Sequence, residues 1–135
     1  MSTIELRHVL EPITINGLTV KNRVVRTAHG TNIGRGRMND DLIAYHSARA
    51  RGGVGLTIIE AASVHPTDTG TLRLHDDTCV EDFRRLMAEV APTGMRVFAQ
   101  LNHLGHDAVP MAPYDQPWSA SAVRSPGYGW LAHEM

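Results

Sequence analysis

Three short apolar runs, each ending in small or polar residues, constrain the fold of this chain most strongly. They occupy residues 22–30, 54–62 and 95–103. Such apolar runs, rich in β-branched residues, are typical of buried strands, and a helical pattern separates each run from the next. Strands joined through helices pack in parallel, so that their carboxyl ends meet at one edge. The sequence therefore predicts an α/β protein with a parallel sheet and a ligand site at that edge.

A β-hairpin is predicted ahead of the first run. Residues 12–22 alternate apolar and polar side chains on both sides of Asn16 and Gly17, a dipeptide that suits a two-residue type I′ turn. Residues 30–39 hold three glycines, two arginines and two asparagines, which indicates a loop after the first strand. Residues 65–77 form a second polar loop, and the segment from 107 to 135 is predicted to be irregular coil.

Two helices are predicted between the runs. Asn39 or Asp40 caps the first helix, which ends at the glycines at 52 and 53. The second helix starts at residues 78–81, which have capping-box spacing, and stops at residues 92–94. Its apolar face follows helical spacing and comprises Phe83, Leu86, Met87 and Val90.

Composition excludes several classes of partner. The 13 basic and 14 acidic residues are interspersed and the net charge is -1, so neither nucleic acid nor a membrane surface is expected to bind. Cys79 is the single cysteine, and it cannot form an intrachain disulfide or an iron–sulfur ligand set. With no export signal or membrane-length apolar run visible in the sequence, we expect a cytoplasmic protein.

The number of strand–helix units raises a question of size. Alternating units of this kind build either an open doubly wound sheet or an eight-fold barrel of about 250 residues. The 135 residues hold about three units, and three parallel strands leave an unpaired edge and an uncovered apolar face. We therefore expect the chain to be the front part of something larger, either a truncation or a split gene product.

The opening of the chain resembles a known family. Residues 12–25, with Asn22 and Arg23 stepping into the first strand, closely resemble the start of the FMN-dependent old yellow enzyme superfamily, the NADH:flavin oxidoreductases. The likeness continues through residues 45–56, 100–105 and 121–127. It implies the N-terminal part of a TIM (β/α)8 barrel: one partial FMN-binding domain over residues 1–135, with the hairpin at 12–22, about three βα units from residue 23 onward, and the irregular loop at 107–135.

The resemblance also implies cofactor-binding residues. Ala28, His29 and Gly30 match the strand-one end that lies against the flavin. Ala61 matches a backbone contact on strand two, and Gln100 matches the glutamine that hydrogen-bonds the pyrimidine edge of the ring. An amide donates and accepts, and donors near flavin N1 and O2 stabilise the reduced form. From the residues alone, close strand packing explains the small side chains as well as a ligand does.

Two departures from the family pattern stand out. Ordinary ene-reductases have a hydroxyl or thiol near flavin N5 where this chain has Ala28, His29 and Gly30, so no cysteinyl link to FMN can form there. Histidine at position 29 resembles the 2,4-dienoyl-CoA reductase and trimethylamine dehydrogenase branch, although residue type alone favours a structural, hydrogen-bonded histidine. His106 stands where an arginine is common, replacing a permanent cation with a titratable group.

The resemblance implies that hydride passes from NAD(P)H through FMN to an unsaturated carbonyl or a related acceptor. The family's substrate-binding pair and proton donor follow the fourth strand, so no catalytic residue is assigned here, and the isolated chain is expected to be inactive. His103 is a substrate-side candidate. Larger relatives also carry a 4Fe–4S cluster and FAD, for which this chain offers no ligands. The acceptor, the choice of NADH or NADPH, and homo-oligomerisation stay open.

Two other hypotheses stand beside the flavoprotein hypothesis. A metal-dependent TIM-barrel hydrolase would use His29, His103 and His106 around an activated water, with Asp107 nearby. A non-catalytic fragment would need a partner chain, or the remainder of the barrel, to pair with its open sheet edge. We expect a small-molecule substrate and no resident metal.

Overall fold

The computed structural model describes residues 7–70 and 72–135, which form alternating strands and helices. The helices are α1 (Arg7–Leu10), α2 (Asp40–Arg51) and α3 (Thr78–Val90). The strands are β1 (Ile13–Ile15), β2 (Leu18–Val20), β3 (Val25–Arg26), β4 (Leu56–Ser63), β5 (Leu72–Arg73), β6 (Arg96–Asn102), β7 (Trp118–Ser119) and β8 (His133–Glu134). Short 3-10 turns span Ala91–Thr93 and Gly105–Asp107. Among the described residues, none of the helices is long and apolar enough to cross a membrane.

The predicted hairpin is confirmed. Strands β1 and β2 pair antiparallel, with Ile15 opposite Leu18. Asn16 and Gly17 between them have φ angles of 45° and 81°. A type I′ turn needs positive φ at both central residues, and asparagine and glycine tolerate this conformation best.

A parallel sheet organises the rest of the chain. Strand β4 lies between β3 and β6 and pairs with both in parallel. The carboxyl ends of the three strands therefore open at one edge, as predicted. The first strand is shorter than its apolar run, since only Val25 and Arg26 pair with β4. The two-residue strand β5 also joins β4 inside the predicted loop, because a strand this short leaves no readable periodicity in the sequence.

The helix termini confirm one capping prediction and overturn the other. Asn39 caps α2, accepting the N–H of Leu42 with its side-chain oxygen at 3.0 Å. The capping box predicted at the start of α3 is wrong. Thr78 is the first helical residue, and its N–H donates to Oδ1 of Asp76 at 2.8 Å, so the cap comes from a residue outside the predicted motif. Glu81 instead pairs with Arg84 along the helix.

The apolar core lies between the sheet and the two long helices. It is built from buried residues of α2, β4, β5, α3 and the loops beside them, namely Met38, Leu42, Ile43, Ala50, Ile59, Ala62, Leu72, Leu86, Val90 and Met95. On the predicted face of α3, Leu86 and Val90 are fully buried and Phe83 packs against the core. Met87 is 40% exposed, so the apolar face is narrower than the spacing indicates.

Leu86→Ala is expected to lower the free energy of unfolding by about 2–5 kcal/mol, because it leaves a cavity in a closely packed core. The neighbouring Met87→Ala is the matched control and should cost less than about 1 kcal/mol, because that side chain is partly in solvent. Urea denaturation of the protein with its whole barrel measures both changes. Equal losses in the two variants would contradict the packing described here.

Candidate functional site

The residues predicted to contact a cofactor lie at the edge where β3, β4 and β6 end. Ala61 on β4 and Gln100 on β6 are paired neighbours in the sheet. Neighbouring strands lie about 4.8 Å apart, so these two residues share one surface. The loop segment 28–30 begins two residues after β3 ends at Arg26. We call Ala28, His29, Gly30, Ala61 and Gln100 the strand-end shelf.

A buried carboxylate joins the loop of the shelf to its central strand. Glu60 is fully buried at the point where the β4–β6 register shifts, between Ile59 and Ala61. Its Oε2 accepts the N–H of Thr31 at 2.5 Å, which holds the residue after Gly30 against β4. Sequence reasoning missed Glu60. The signal was available, since a single acidic residue inside an apolar run marks a side chain that needs a buried partner.

The second oxygen of this carboxylate has no hydrogen-bond partner among the described residues. Oε1 of Glu60 is buried and unpaired, whereas Oε2 is occupied by Thr31. An unpaired buried oxygen costs free energy, so such a group is usually retained because it positions its neighbours or meets a ligand.

His29 is held on the helix side of the shelf. Arg26 donates to the His29 ring, with Nη2 at 3.2 Å from Nδ1, and also donates to the Ile58 carbonyl at 2.9 Å. The Tyr45 hydroxyl on α2 lies 3.4 Å from Nε2 of His29. The guanidinium of Arg49, one turn further along α2, stacks over the Tyr45 ring. His29 is therefore within hydrogen-bonding distance of Arg26 and Tyr45 on its two sides.

His46 lies buried on α2 near this cluster of cations. Neither ring nitrogen has a hydrogen-bond partner within the described ranges. Burial, followed by the positive charges of Arg26 and Arg49 and by His29, lowers the pKa of His46 to about 4. The side chain is therefore neutral at physiological pH and packs as an apolar ring.

His103 and His106 take different partners just beyond β6. Nε2 of His103 lies 2.9 Å from the Thr67 hydroxyl, and His106 lies 3.5 Å from the Asp107 carboxylate. Across residues 7–70 and 72–135 there is no group of three or more His, Cys, Asp or Glu side chains that could hold a metal ion. The metal-dependent hydrolase hypothesis therefore lacks a ligand set in this part of the chain.

Comparison with known proteins gives a consistent result. The model of the NADH:flavin oxidoreductase / NADH oxidase family matches residues 8–128. The chain is 37% identical over 102 residues to an NADH oxidase from Thermoanaerobacter brockii, covering 71% of this chain and 16% of that protein.

Two solved structures are similar over most of the chain. The 6-hydroxypseudooxynicotine amine oxidase of Pseudomonas geniculata N1 has a TM-score of 0.82 at 27% identity, covering 95% of this chain and 20% of that one. The old yellow enzyme homologue of Zymomonas mobilis has a TM-score of 0.74 at 25% identity, covering 94% and 39%. The chain therefore spans less than two-fifths of the length of each of these three relatives. The similarity to the two solved structures is consistent with an α/β partial barrel.

The low pKa of His46 makes stability depend on pH. Between about pH 6.5 and 4 the unfolded chain binds a proton at His46 and the folded chain does not, so acid favours unfolding. The free energy of unfolding should fall by about 3 kcal/mol across this window through His46 alone. In urea denaturation at several pH values, the slope should be steeper in the wild type than in His46→Gln, by the contribution of His46.

His8→Gln is the control, because His8 is an exposed histidine at the start of the chain. It should keep the wild-type slope. An unchanged slope in His46→Gln would show that His46 is not the group responsible.

Proposed function

The chain belongs to the NADH:flavin oxidoreductase / NADH oxidase family, as an N-terminal portion of an old yellow enzyme superfamily protein, and from this we propose its function. It supplies the first strands of an FMN-binding (β/α)8 barrel that passes hydride from NAD(P)H, through the flavin, to an unsaturated carbonyl or a related acceptor. The observation that supports this most is the pairing of Ala61 with Gln100 at the sheet edge, beside a loop tied down by Glu60.

The chemistry of the strand-end shelf fits a flavin. The Gln100 side chain is exposed and forms no hydrogen bond to other described residues, so its amide can reach a ligand. An amide that both donates and accepts suits the mixed donor and acceptor edge of a pyrimidine ring. Ala28, Gly30 and Ala61 carry no bulky side chain that would keep a flat ring from the backbone. FMN bound here would accept and deliver hydride equivalents.

Each residue of the shelf has a distinct proposed role. Gln100 donates a hydrogen bond that stabilises negative charge on the reduced pyrimidine edge. Ala28 and Gly30 present backbone to the ring, and His29 anchors this loop through Arg26 and Tyr45. Glu60 is a positioning residue, because it holds the loop without lying on the shelf. We assign no catalytic residue, and His103 remains a substrate-side candidate by its place after β6.

Exposed apolar side chains support the proposal that further barrel units cover this chain. Val25 on β3 is 45% exposed, and Phe98 and Leu101 on β6 are 45% and 68% exposed. Both strands lie at edges of the sheet formed by the described residues, so each has one side open to a further strand. We propose that the remainder of the barrel, from the same or another chain, pairs with these edges, and that the 135 residues alone are inactive. We also propose that the complete barrel forms homo-oligomers.

The larger flavoproteins are the branch we favour. Two observations support this choice. One is the structural similarity to an amine oxidase, of which the match covers 20%. The other is the histidine at position 29. Any 4Fe–4S cluster would be bound by residues outside this chain, because Cys79 is its single cysteine. We propose that any FAD of the complete protein is bound there too. We place the protein in the cytoplasm, where NAD(P)H is available and the free thiol of Cys79 stays reduced.

Gln100→Leu should weaken FMN binding about three- to tenfold and lower the flavin reduction potential, because it removes a hydrogen bond to the pyrimidine edge without changing side-chain size greatly. Quenching of FMN fluorescence measures the affinity in the protein with its whole barrel. Gln116→Leu, in exposed coil, is the matched control and should bind FMN like the wild type. A Gln100→Leu variant with normal affinity and potential would exclude Gln100 from the flavin site.

Size-exclusion chromatography tests whether the sheet needs further barrel units. The 135-residue chain alone should aggregate or elute as an expanded species, because its apolar edges stay in water. Co-expression with the remaining units should give a compact yellow protein. A compact monomer of the isolated chain that binds FMN tightly would contradict the proposal.

A further inference from the structure

Two arginine side chains stand out because they are partly removed from water. Arg26 on β3 and Arg49 on α2 are half-buried, whereas every other arginine in the described ranges is exposed. A guanidinium keeps its charge at any pH at which the protein folds, so it cannot escape burial by losing a proton. Burying a charge is costly unless a group of opposite charge lies beside it. These two arginines therefore need a carboxylate partner more than the exposed ones do.

The arginine ion pairs of the described residues lie elsewhere. No carboxylate oxygen of residues 7–70 or 72–135 lies within 4.0 Å of the guanidinium nitrogens of Arg26 or Arg49. Four exposed arginines do have such a partner, in the pairs Arg7–Glu11, Arg37–Asp82, Arg84–Glu81 and Arg85–Asp40. Ion pairs are therefore present where water already screens the charge, and they are missing where burial makes a partner most necessary.

Neutral groups hold both guanidiniums in place. Arg26 donates to the Ile58 carbonyl at 2.9 Å and to the Tyr45 hydroxyl at 3.4 Å. Nη1 of Arg49 donates to the Tyr45 carbonyl at 2.8 Å, while its Nε and Nη2 donate to none of the described residues. The guanidinium carbons of Arg26 and Arg49 lie over the Tyr45 ring, 5.1 and 3.1 Å from its centroid. Two positive charges thus share one ring, and Arg49 has N–H groups left for a further acceptor.

The neighbouring imidazole of His46 responds to the same charges. Burial, then the positive charges of Arg26 and Arg49, and then His29 lower the pKa of His46 to about 4. No carboxylate is among the groups that shift this pKa. The positive charge around this turn of α2 is therefore not offset within the described part of the chain.

The place of the two arginines in the fold indicates what covers them. Arg26 lies on β3, which pairs with β4 on one side and leaves its other side open within the described sheet. Arg49 lies on α2, the helix that follows β3. A barrel segment that pairs with the open side of β3 reduces the access of water to this cluster. A carboxylate carried on that segment is already held in place by the chain, whereas a free anion loses translational freedom when it binds.

We propose that the barrel segment covering β3 carries an aspartate or glutamate whose carboxylate binds Arg49 beside Arg26. This inference rests on the proposed function, since further barrel units must pair with β3, and it adds the chemistry of the surface that does so. Nε and Nη2 of Arg49 are the donors, because neither donates to the described residues. They are adjacent N–H groups that suit a bidentate carboxylate. A neutral covering surface would leave both charges buried without a counter-ion.

A crystal structure of the protein with its whole barrel tests the partner directly. The crystals are grown without sulfate, phosphate or carboxylate salts, so that none of these anions can take the place of the side chain. An Asp or Glu oxygen from outside residues 1–135 should lie about 2.7–2.9 Å from Nε or Nη2 of Arg49. A neutral side chain, a solute ion or water alone at these two atoms would overturn the proposal.

A double-mutant cycle followed by urea denaturation measures the pair in solution. Arg49→Met should raise the unfolding equilibrium constant of the complete protein about ten- to hundredfold, the range for one hydrogen bond to a charged group, because the carboxylate loses its partner. Most of this effect should disappear when the acid found in the crystal is replaced by its amide. Arg49→Lys keeps the charge and should lose less. Arg51→Met, at an exposed arginine of the same helix, is the matched control and should behave like the wild type.

Additive effects of the two substitutions in this cycle would contradict an ion pair. Inorganic phosphate then distinguishes a carboxylate of the barrel from a free anion. Phosphate should stabilise the wild type and Arg49→Met equally. Selective stabilisation of the wild type would place a free ion at Arg49 and overturn the proposal.

FMN binding by the complete protein is measured separately, so that the two proposals can fail independently. A yellow protein with no acid at Arg49 refutes this inference and leaves the proposed function standing. A complete protein that does not bind FMN refutes the proposed flavin role, while the crystal structure still decides whether Arg49 has an acidic partner.

Discussion

Parallel pairing of β4 with strands on both sides is the constraint on which the rest of the structure depends. Strand β4 contacts β3, β5 and β6, and its residues supply one wall of the core on which both long helices pack. Because all these pairings are parallel, every loop that follows a strand emerges at the same edge. The strand-end shelf, the loop bearing Thr31 and the hydrogen-bonded residues His65, Thr67 and His103 all lie at that edge for this reason.

A shift in the pairing register gives the edge its chemistry. Glu60 is the extra residue where β4 and β6 change register, and it has no partner residue on β6. Its carboxylate is buried at this point. It binds the backbone of the loop after β3 and so couples that loop to β4, which is far from it in sequence. A buried acid that is only half satisfied is costly, and holding the loop after β3 against β4 is a physical reason for retaining it.

How well each element was predicted depends on how far apart in sequence the residues that form it lie. The hairpin around Asn16 and the cap of α2 by Asn39 were predictable because both rest on contacts within a few residues. The cap of α3 was mispredicted because Asp76 offers the same kind of oxygen two residues before Thr78. Met87 matches the helical spacing of a core residue and yet remains 40% exposed, since only packing decides how wide a buried face is.

The sequence by itself determined the order of the longer strands and helices, the edge at which the strands open and the family to which the chain belongs. It did not reveal the two-residue strands β5, β7 and β8, and the last two lie in the segment predicted to be irregular coil. Local patterns of apolar side chains, caps and turns carry that information, and they act over a few residues. Only the tertiary structure decided that His29 turns toward Arg26 and Tyr45, that Glu60 joins the loop after β3 to β4, and that Thr67 links two imidazoles 38 positions apart, His65 and His103. These contacts depend on how distant segments meet across a parallel sheet. The spacing of residues along the chain does not determine how those segments meet.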